Sequence, residues 1–396
     1  MEEASWIDNL KLRYTYGTAG NNNIPAGVSS MLFQANNSTW ISQGNTYWST
    51  TKVDGKTIMP NSNLTWETTV SNNLGLDFSL FRTRLNGSVE VYNNDTRNLL
   101  IQFPTSGTGY DYQYMGTINN KGLEFSLNAV LIEKKNAGLT IGGNISVNKN
   151  KVVSLGGLEK IEAESLWAST EIGPDYIVLE GQPLGNIYGY VCDGRYGVND
   201  FTYDPDKKKW NLNEGIVNDK AQIGENYLRP GALKLKGDEN GNPVKEIIGN
   251  AIPVGSGGFY INGNVCGFDF SANFNYVFGN QIYNANKVEF TSSRKYSRRN
   301  LISSMATDKR WTNINWETGE LVTDPDQLAA MNAGTTMWSP GIGNAVLTDW
   351  AIEDGSFVRL SNLTIGYSLP ESFIKKFHCQ KLRVYVTGNN LFCLTR

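Results

Sequence analysis

The chain has 396 residues and a net charge of −3, with charged residues at 18%, aromatics at 11% and 41 glycines. A charge so near balance offers no basic field for nucleic acid or an anionic membrane surface. No apolar run reaches the roughly eighteen residues of a spanning helix, which excludes a transmembrane helix but not a barrel, whose alternating strands hide from hydropathy.

Taken in order, Leu10, Leu12, Tyr14 and Tyr16 alternate with Lys11, Arg13 and Thr15, the period-two pattern of a strand with one apolar and one polar face. A polar stretch over 17–69 follows. Leu74–Leu80 and Leu85–Val91 form the next strands around a short turn at 82–84, and a medium loop is expected over 95–119. Leu123–Leu131 and Leu139–Val147 flank a charged turn at 132–137. After a loop over 150–256, Phe259–Val265 and Phe268–Phe278 alternate about Cys266-Gly267, a two-residue hairpin signal. The second of these strands has the ~9–11 residues that cross a bilayer at a tilt. Its apolar side is aromatic and its polar side is Asp, Ser and Asn, which suits lipid outside and a wet lumen inside. A further loop over 279–354 precedes the strand Phe357–Tyr367, a short helix over Pro370–Phe377 and a last strand through Leu382, Val384 and Val386.

The connections sort by length. Those over 17–69, 95–119, 150–256 and 279–354 are long, and those over 82–84, 132–137, 266–267 and 368–381 are short. Antiparallel strands reverse each time, so the long connections share one side of the sheet. Short periplasmic turns and long extracellular loops characterise outer-membrane barrels, whereas a soluble sandwich has no cause to sort its loops. The predicted fold is all-β, a partial antiparallel transmembrane β-barrel of about nine long strands with long extracellular loops. Complete bacterial barrels have even strand numbers and leave no edge exposed to lipid, so nine strands read as part of a larger barrel.

Four stretches carry a resemblance to a known family. They are Pro60–Glu67, Asn73–Phe81 with the strand running to Asp95, Asn119–Glu124, and above all Glu353–Pro370, which reads EDGSFVRLSNLTIGYSLP. With these the chain resembles the C-terminal barrel of SusC/RagA-type TonB-linked outer-membrane transporters, over essentially its whole length. The resemblance implies import of oligosaccharides or peptides through a plugged barrel of about 22 strands. It implies a SusD-like lipoprotein over the extracellular loops, TonB contacted through an N-terminal box, and outer-membrane lipid around the barrel. Against the family pattern, the plug, the TonB box and both barrel ends are expected to lie outside these residues. The segment Met1–Trp6 has neither a basic nor an apolar leader region, so either further chain precedes it or the protein is cytoplasmic.

No catalytic, cofactor or metal set is found. There is no G-x-S-x-G, P-loop or H-E-x-x-H motif. Cys192, Cys266, Cys379 and Cys393 form no C-x-x-C pair, and the single histidine, His378, lies among lysines and reads as a solvated turn residue. The redox state of the cysteines is left open by their spacing. Asp238–Asn242 reads as a surface turn rather than a calcium loop, since Pro243 and Gly249 stand where an EF-hand needs Gly and Glu. The candidate contact residues for substrate or partner are the loop aromatics Trp40, Tyr47, Trp48, Trp167, Tyr176, Trp210, Trp311, Trp316 and Trp338, because flat rings stack on sugars at low entropic cost. The competing role for each is to pack one loop against another. A secreted β-sheet carbohydrate-binding module is the alternative to a transporter; it would bury the apolar strand faces against each other.

Overall fold

The computed structural model describes residues 5–22, 33–37, 46–50, 52–53, 56–59, 65–104, 110–293, 300–375, 378 and 380–395. Its main sheet contains the nine expected strands: β1 (Ile7–Asn21), β2 (Glu67–Leu80), β3 (Leu85–Pro104), β4 (Tyr110–Lys134), β5 (Ala137–Leu155), β6 (Gly255–Val265), β7 (Phe268–Phe278), β8 (Phe357–Ser368) and β9 (Arg383–Thr395). They pair antiparallel in chain order from β1 to β9, and the path ends at β1 and β9 without closing. Along this path each long strand pairs with the next long strand in sequence; off it, the short strand Lys56–Met59 pairs parallel with the start of β4.

The register lines up side chains across the whole sheet. One row runs Leu12, Leu76, Val89, Phe125, Ile145, Gly257, Tyr276, Val358 and Leu394. The next row begins Arg13, Gly75, Glu90, Glu124, Ser146 and Ser256. A one-residue slip at any strand would break both rows, so the alternation fixes the register. The apolar face is not packed on a second sheet: Leu123, Phe268 and Phe270 are exposed, and Leu127 and Phe274 are only half-buried. That is the placement expected of a lipid-facing surface and the opposite of a sandwich core.

On the polar face two arginines span three strands in the same way. Arg13 of β1 lies across Gly75 of β2, whose missing side chain leaves room for the guanidinium, and reaches both Asp77 and Glu90 of β3. Arg383 of β9 lies across Gly366 of β8 and pairs with Asp269 of β7, with Nε 2.9 Å from Oδ1. In each case a glycine in the middle strand is what makes the long reach geometrically open.

The short connections are tight. Cys266 and Gly267 both have positive φ, 49° and 89°, as a two-residue hairpin matching the strand twist requires. The turn after β2 holds Phe81, Arg82 and Thr83 in succession at φ of 56°, 58° and 61°. It is braced by Asp8, whose carboxylate accepts the Thr83 N–H at 2.8 Å, and by Trp6, whose ring stacks on Phe81. Beyond β8 the expected helix is one turn, Glu371–Ile374, with Pro370 at its N-cap.

Two expectations need correcting. The stretch 95–119 is not a loop: β3 and β4 continue through it to Pro104 and from Tyr110, leaving 105–109 outside the described residues. Here amides form cross-strand ladders, with Asn119 donating to Asn93 and Asp95, and Asn148 and Asn150 donating to Asn120. The sequence here lacks a sustained polar–apolar alternation, so it reads as a loop although the backbone is paired strand. Nor are 150–256 and 279–354 structureless. They fold into a cap with its own four-stranded sheet of Lys160–Ala163, Tyr176–Leu179, Asn186–Gly189 and Glu246–Asn250. The cap also has two hydrophobic clusters, one centred on Tyr196, Leu235, Met305 and Leu328, the other on Ile187, Leu347 and Ala351.

Candidate functional site in the loop cap

The cap stands directly on the barrel. Asn148 N–H donates to the Val254 carbonyl, Val254 N–H to Phe278, and Gly355 N–H to Asn280. The Asn150 side chain of β5 accepts the Leu184 N–H at 2.9 Å. Whatever the cap binds is thus held over the long-connection end of the sheet.

The larger cluster is organised by buried aromatic rings. Trp210, Trp311 and Trp338 are 5%, 6% and 5% exposed. Trp311 is pressed against Gly231, which sits at φ 82° where no side chain fits, and Arg195 stacks over its indole at 4.9 Å. These three candidates pack the cap interior. Trp167 and Trp316 behave differently, at 58% and 61% exposed. Trp167 meets Tyr176 edge-on at 6.0 Å and Tyr283 at 5.6 Å, so Trp167 and the half-buried Tyr176 form one aromatic group over the smaller cluster. Trp316 stands apart, in a hairpin closed by the Ile314–Leu321 bridge. Tyr47 and Trp48 lie on the strand Thr46–Thr50, paired with Asn36 and Ala35, and Trp40 lies outside the described residues.

A concavity of about 370 Å³ opens beside Trp338. Its walls are the strand Cys192–Arg195, which ladders with Leu233–Leu235, and the segments Thr336–Trp338 and Asp349–Trp350. Trp338 meets Trp350 edge-on at 5.2 Å, and the Lys287 ammonium lies 4.7 Å over the Trp350 ring. Asp349 Oδ1 accepts the Cys192 N–H at 2.8 Å, which ties two walls together. Burial pushes the Cys192 thiol up to about 11, so it stays protonated at neutral pH. Arg195 donates to Thr335 Oγ1, Thr335 O and Met337 O, and burial away from any carboxylate lowers its pKa. Sequence reading singled out Trp338 here but missed Arg195, Asp349 and Trp350, which converge only when two loops some 140 residues apart meet, as Arg195 and Thr335 do.

Among the described residues no group of three or more His, Cys, Asp or Glu is placed to hold a metal. The Asp238 carboxylate is engaged by its own turn, with Oδ1 accepting the Asn240 and Asn242 N–H groups at 2.9 Å, and these bonds keep its pKa low. Trp66, at the start of β2, is 60% exposed and lies across Gly20.

The family model for the TonB-dependent receptor-like β-barrel matches residues 4–391. The chain belongs to the TonB-dependent receptor β-barrel family. It is 29% identical over its full length to TonB-dependent receptor P3 of Formosa agariphila, covering 36% of that protein. To TonB-dependent receptor SusC of Bacteroides thetaiotaomicron it is 25% identical, again over its full length and 35% of the relative. Among solved structures, that of the RagAB peptide transporter superposes on the whole chain with a TM-score of 0.72 at 23% identity, covering 38% of that chain. The chain thus spans a little over a third of the length of the proteins it resembles. The family is one of transporters rather than enzymes, in keeping with the absence of a catalytic motif from the sequence.

Proposed function

We propose that this chain is the barrel part of a longer outer-membrane importer of oligosaccharides or peptides, energised by TonB. A SusD-like surface lipoprotein would seat on its loop cap, and a plug and TonB box would lie elsewhere in the polypeptide. The observation that carries the reading is the apolar row from Leu12 to Leu394, exposed at its ends and only half-buried between them, on a sheet whose long connections all lie at one end. Such a face is stable only against lipid, and the amide-rich opposite face suits a water-filled interior. Membership of the receptor family supports the TonB coupling, the likeness to the peptide transporter RagAB supports the peptide class, and the resemblance of the Glu353–Pro370 stretch to SusC/RagA-type transporters supports the pairing of the two classes. The alternative of a secreted carbohydrate-binding module is disfavoured because the apolar face has no partner sheet.

The test is fractionation and uptake with the full-length protein. It should sediment with the outer membrane and run faster on gels before boiling than after. Cells lacking it, or lacking TonB, should lose growth on the imported nutrient. Release of the protein by osmotic shock would reject the reading.

A further inference from the structure

We propose that the short-turn rim of the main sheet binds the headgroups of anionic phospholipids in the periplasmic leaflet. This rests on the outer-membrane reading above and adds a lipid preference to it.

The rim joins an apolar band to a cationic one. The last paired row of the apolar face before the turns runs Lys134, Ala137, Val265, Phe268, Tyr367 and Val384. Val265, Phe268 and Val384 are exposed, and the Phe268 and Tyr367 rings lie 4.5 Å apart. At the turn after β2, the stacked rings of Trp6 and Phe81 are exposed as well. Aromatic rings in such a band sit where acyl chains give way to headgroups.

Immediately beyond that band the charge changes. The four short connections over 81–84, 133–136, 266–267 and 369–382 carry seven lysines and arginines against two glutamates, on a chain whose total is −3. Arg84 ties two of these turns together: its Nε donates to the Val130 carbonyl at 3.2 Å and its Nη2 to the Leu131 carbonyl at 2.9 Å. Arg82 is thereby held on the same stretch of rim as Lys134 and Lys135. All three are exposed and take no ion-pair partner among the described residues. The acids nearby are engaged elsewhere. Asp8 accepts the Thr83 N–H, Asp269 is bound by Arg383 on the polar face, and Glu371 pairs with Lys375 at 3.3 Å. Glu133 alternates with Lys134 and so belongs to the opposite face.

Unpaired cations call for an anion, and the adjoining apolar row sets its depth. A soluble anion would leave that row uncovered. A lipid meets both demands, with acyl chains against Phe268 and Val384 and a phosphate at the ammonium of a lysine whose stem runs along the apolar surface. A zwitterionic headgroup brings its own cation, so a headgroup of net negative charge is favoured.

The experiment reconstitutes the full-length receptor in vesicles and measures, by spin-label resonance, the association of labelled phosphatidylglycerol and labelled phosphatidylcholine. Phosphatidylglycerol should associate about fivefold more strongly, the effect of one cation near the surface. The preference should collapse in about 1 M salt, where screening acts within ~3 Å. The triple variant Arg82→Gln/Lys134→Gln/Lys135→Gln should cut the preference about twofold or more. Lys208→Gln/Lys220→Gln, in the cap at the other end, should leave it unchanged. Equal association of the two lipids, a preference untouched by salt, or an unchanged preference in the triple variant would overturn the proposal. So would salt-sensitive sedimentation with peptidoglycan sacculi without any lipid preference, which would make the cell wall the partner. A receptor that fractionates with the outer membrane but shows no lipid preference fails here and leaves the importer reading standing; release by osmotic shock fails that reading itself.

Discussion

The phenol oxygen of Tyr196 stands 2.7 Å from Oδ2 of Asp219 and 2.7 Å from the Val217 carbonyl, with both side chains wholly buried in the cap. A phenol carries one proton. Asp219 Oδ2 accepts both the phenol O–H and, at 2.8 Å, the Leu235 N–H. Burial raises the Asp219 pKa, and Oδ1 has no partner at all. The folded state then holds a proton that the unfolded chain gives up near pH ~3.9. Its stabilising contribution is present below that value and is lost as pH rises towards the raised folded pKa. Asp219→Asn should therefore melt above wild type at pH 7, with the gap closing towards pH 4, when followed by tryptophan fluorescence. An equal difference at both pH values would show that Asp219 is ionised in the fold.

Gly231 meets Trp311 where any Cβ would fall on the indole, and its φ of 82° already disfavours a side chain. Gly231→Ala combines overpacking with backbone strain and should cost on the order of 3 kcal/mol. The effect should be confined to the cap. Limited proteolysis should open residues 190–350 while the barrel still shows its heat-dependent gel shift.

Phe270 and Ser271 are adjacent on β7 and face opposite sides of the sheet. With lipid on the apolar side, Phe270→Lys should destabilise the assembled barrel by about 2–4 kcal/mol if it lies near the midplane. Ser271→Lys should be tolerated in a wet lumen. Urea unfolding in lipid vesicles compares the two, and the reverse order would place water on the aromatic face.

Gly75 is the opening through which Arg13 crosses to Glu90. Gly75→Val should deny the guanidinium that path and leave Glu90 with Asn73 as its remaining partner. The unfolding temperature of the barrel should fall. Arg13→Met in the Gly75→Val background should add little further loss, because both changes remove the same contact.

Three successive non-glycine residues at positive φ make the turn after β2 a local source of strain. Glycine visits that conformation freely, so Arg82→Gly should stabilise by about 1 kcal/mol. Asp8→Ala, which removes the acceptor for the Thr83 N–H, should act in the opposite sense. Both are readable as shifts in the urea midpoint.

The legible parts of this protein were those where one face is dry. Alternation at Leu10–Tyr16, Phe268–Phe278 and their neighbours marked all nine strands, because lipid and water impose opposite demands on successive side chains. Over 95–119 no sustained alternation is present, and strand read as loop. The aromatics of the cap were visible as a class, but not divided into buried Trp210, Trp311 and Trp338 and exposed Trp167 and Trp316.

Local order alone decided the sequence of the nine long strands and the side of their long connections, since each long strand pairs with the next and a period of two admits a single dry face. What only the folded chain decided is the cap. Residues far apart in sequence, such as Cys192 with Asp349, Arg195 with Thr335, and Tyr196 with Asp219, meet through packing rather than periodicity. Irregular segments carry no repeating solvent contrast, so their contacts depend on side-chain shape and on which buried polar groups find partners, and neither is written in any local pattern.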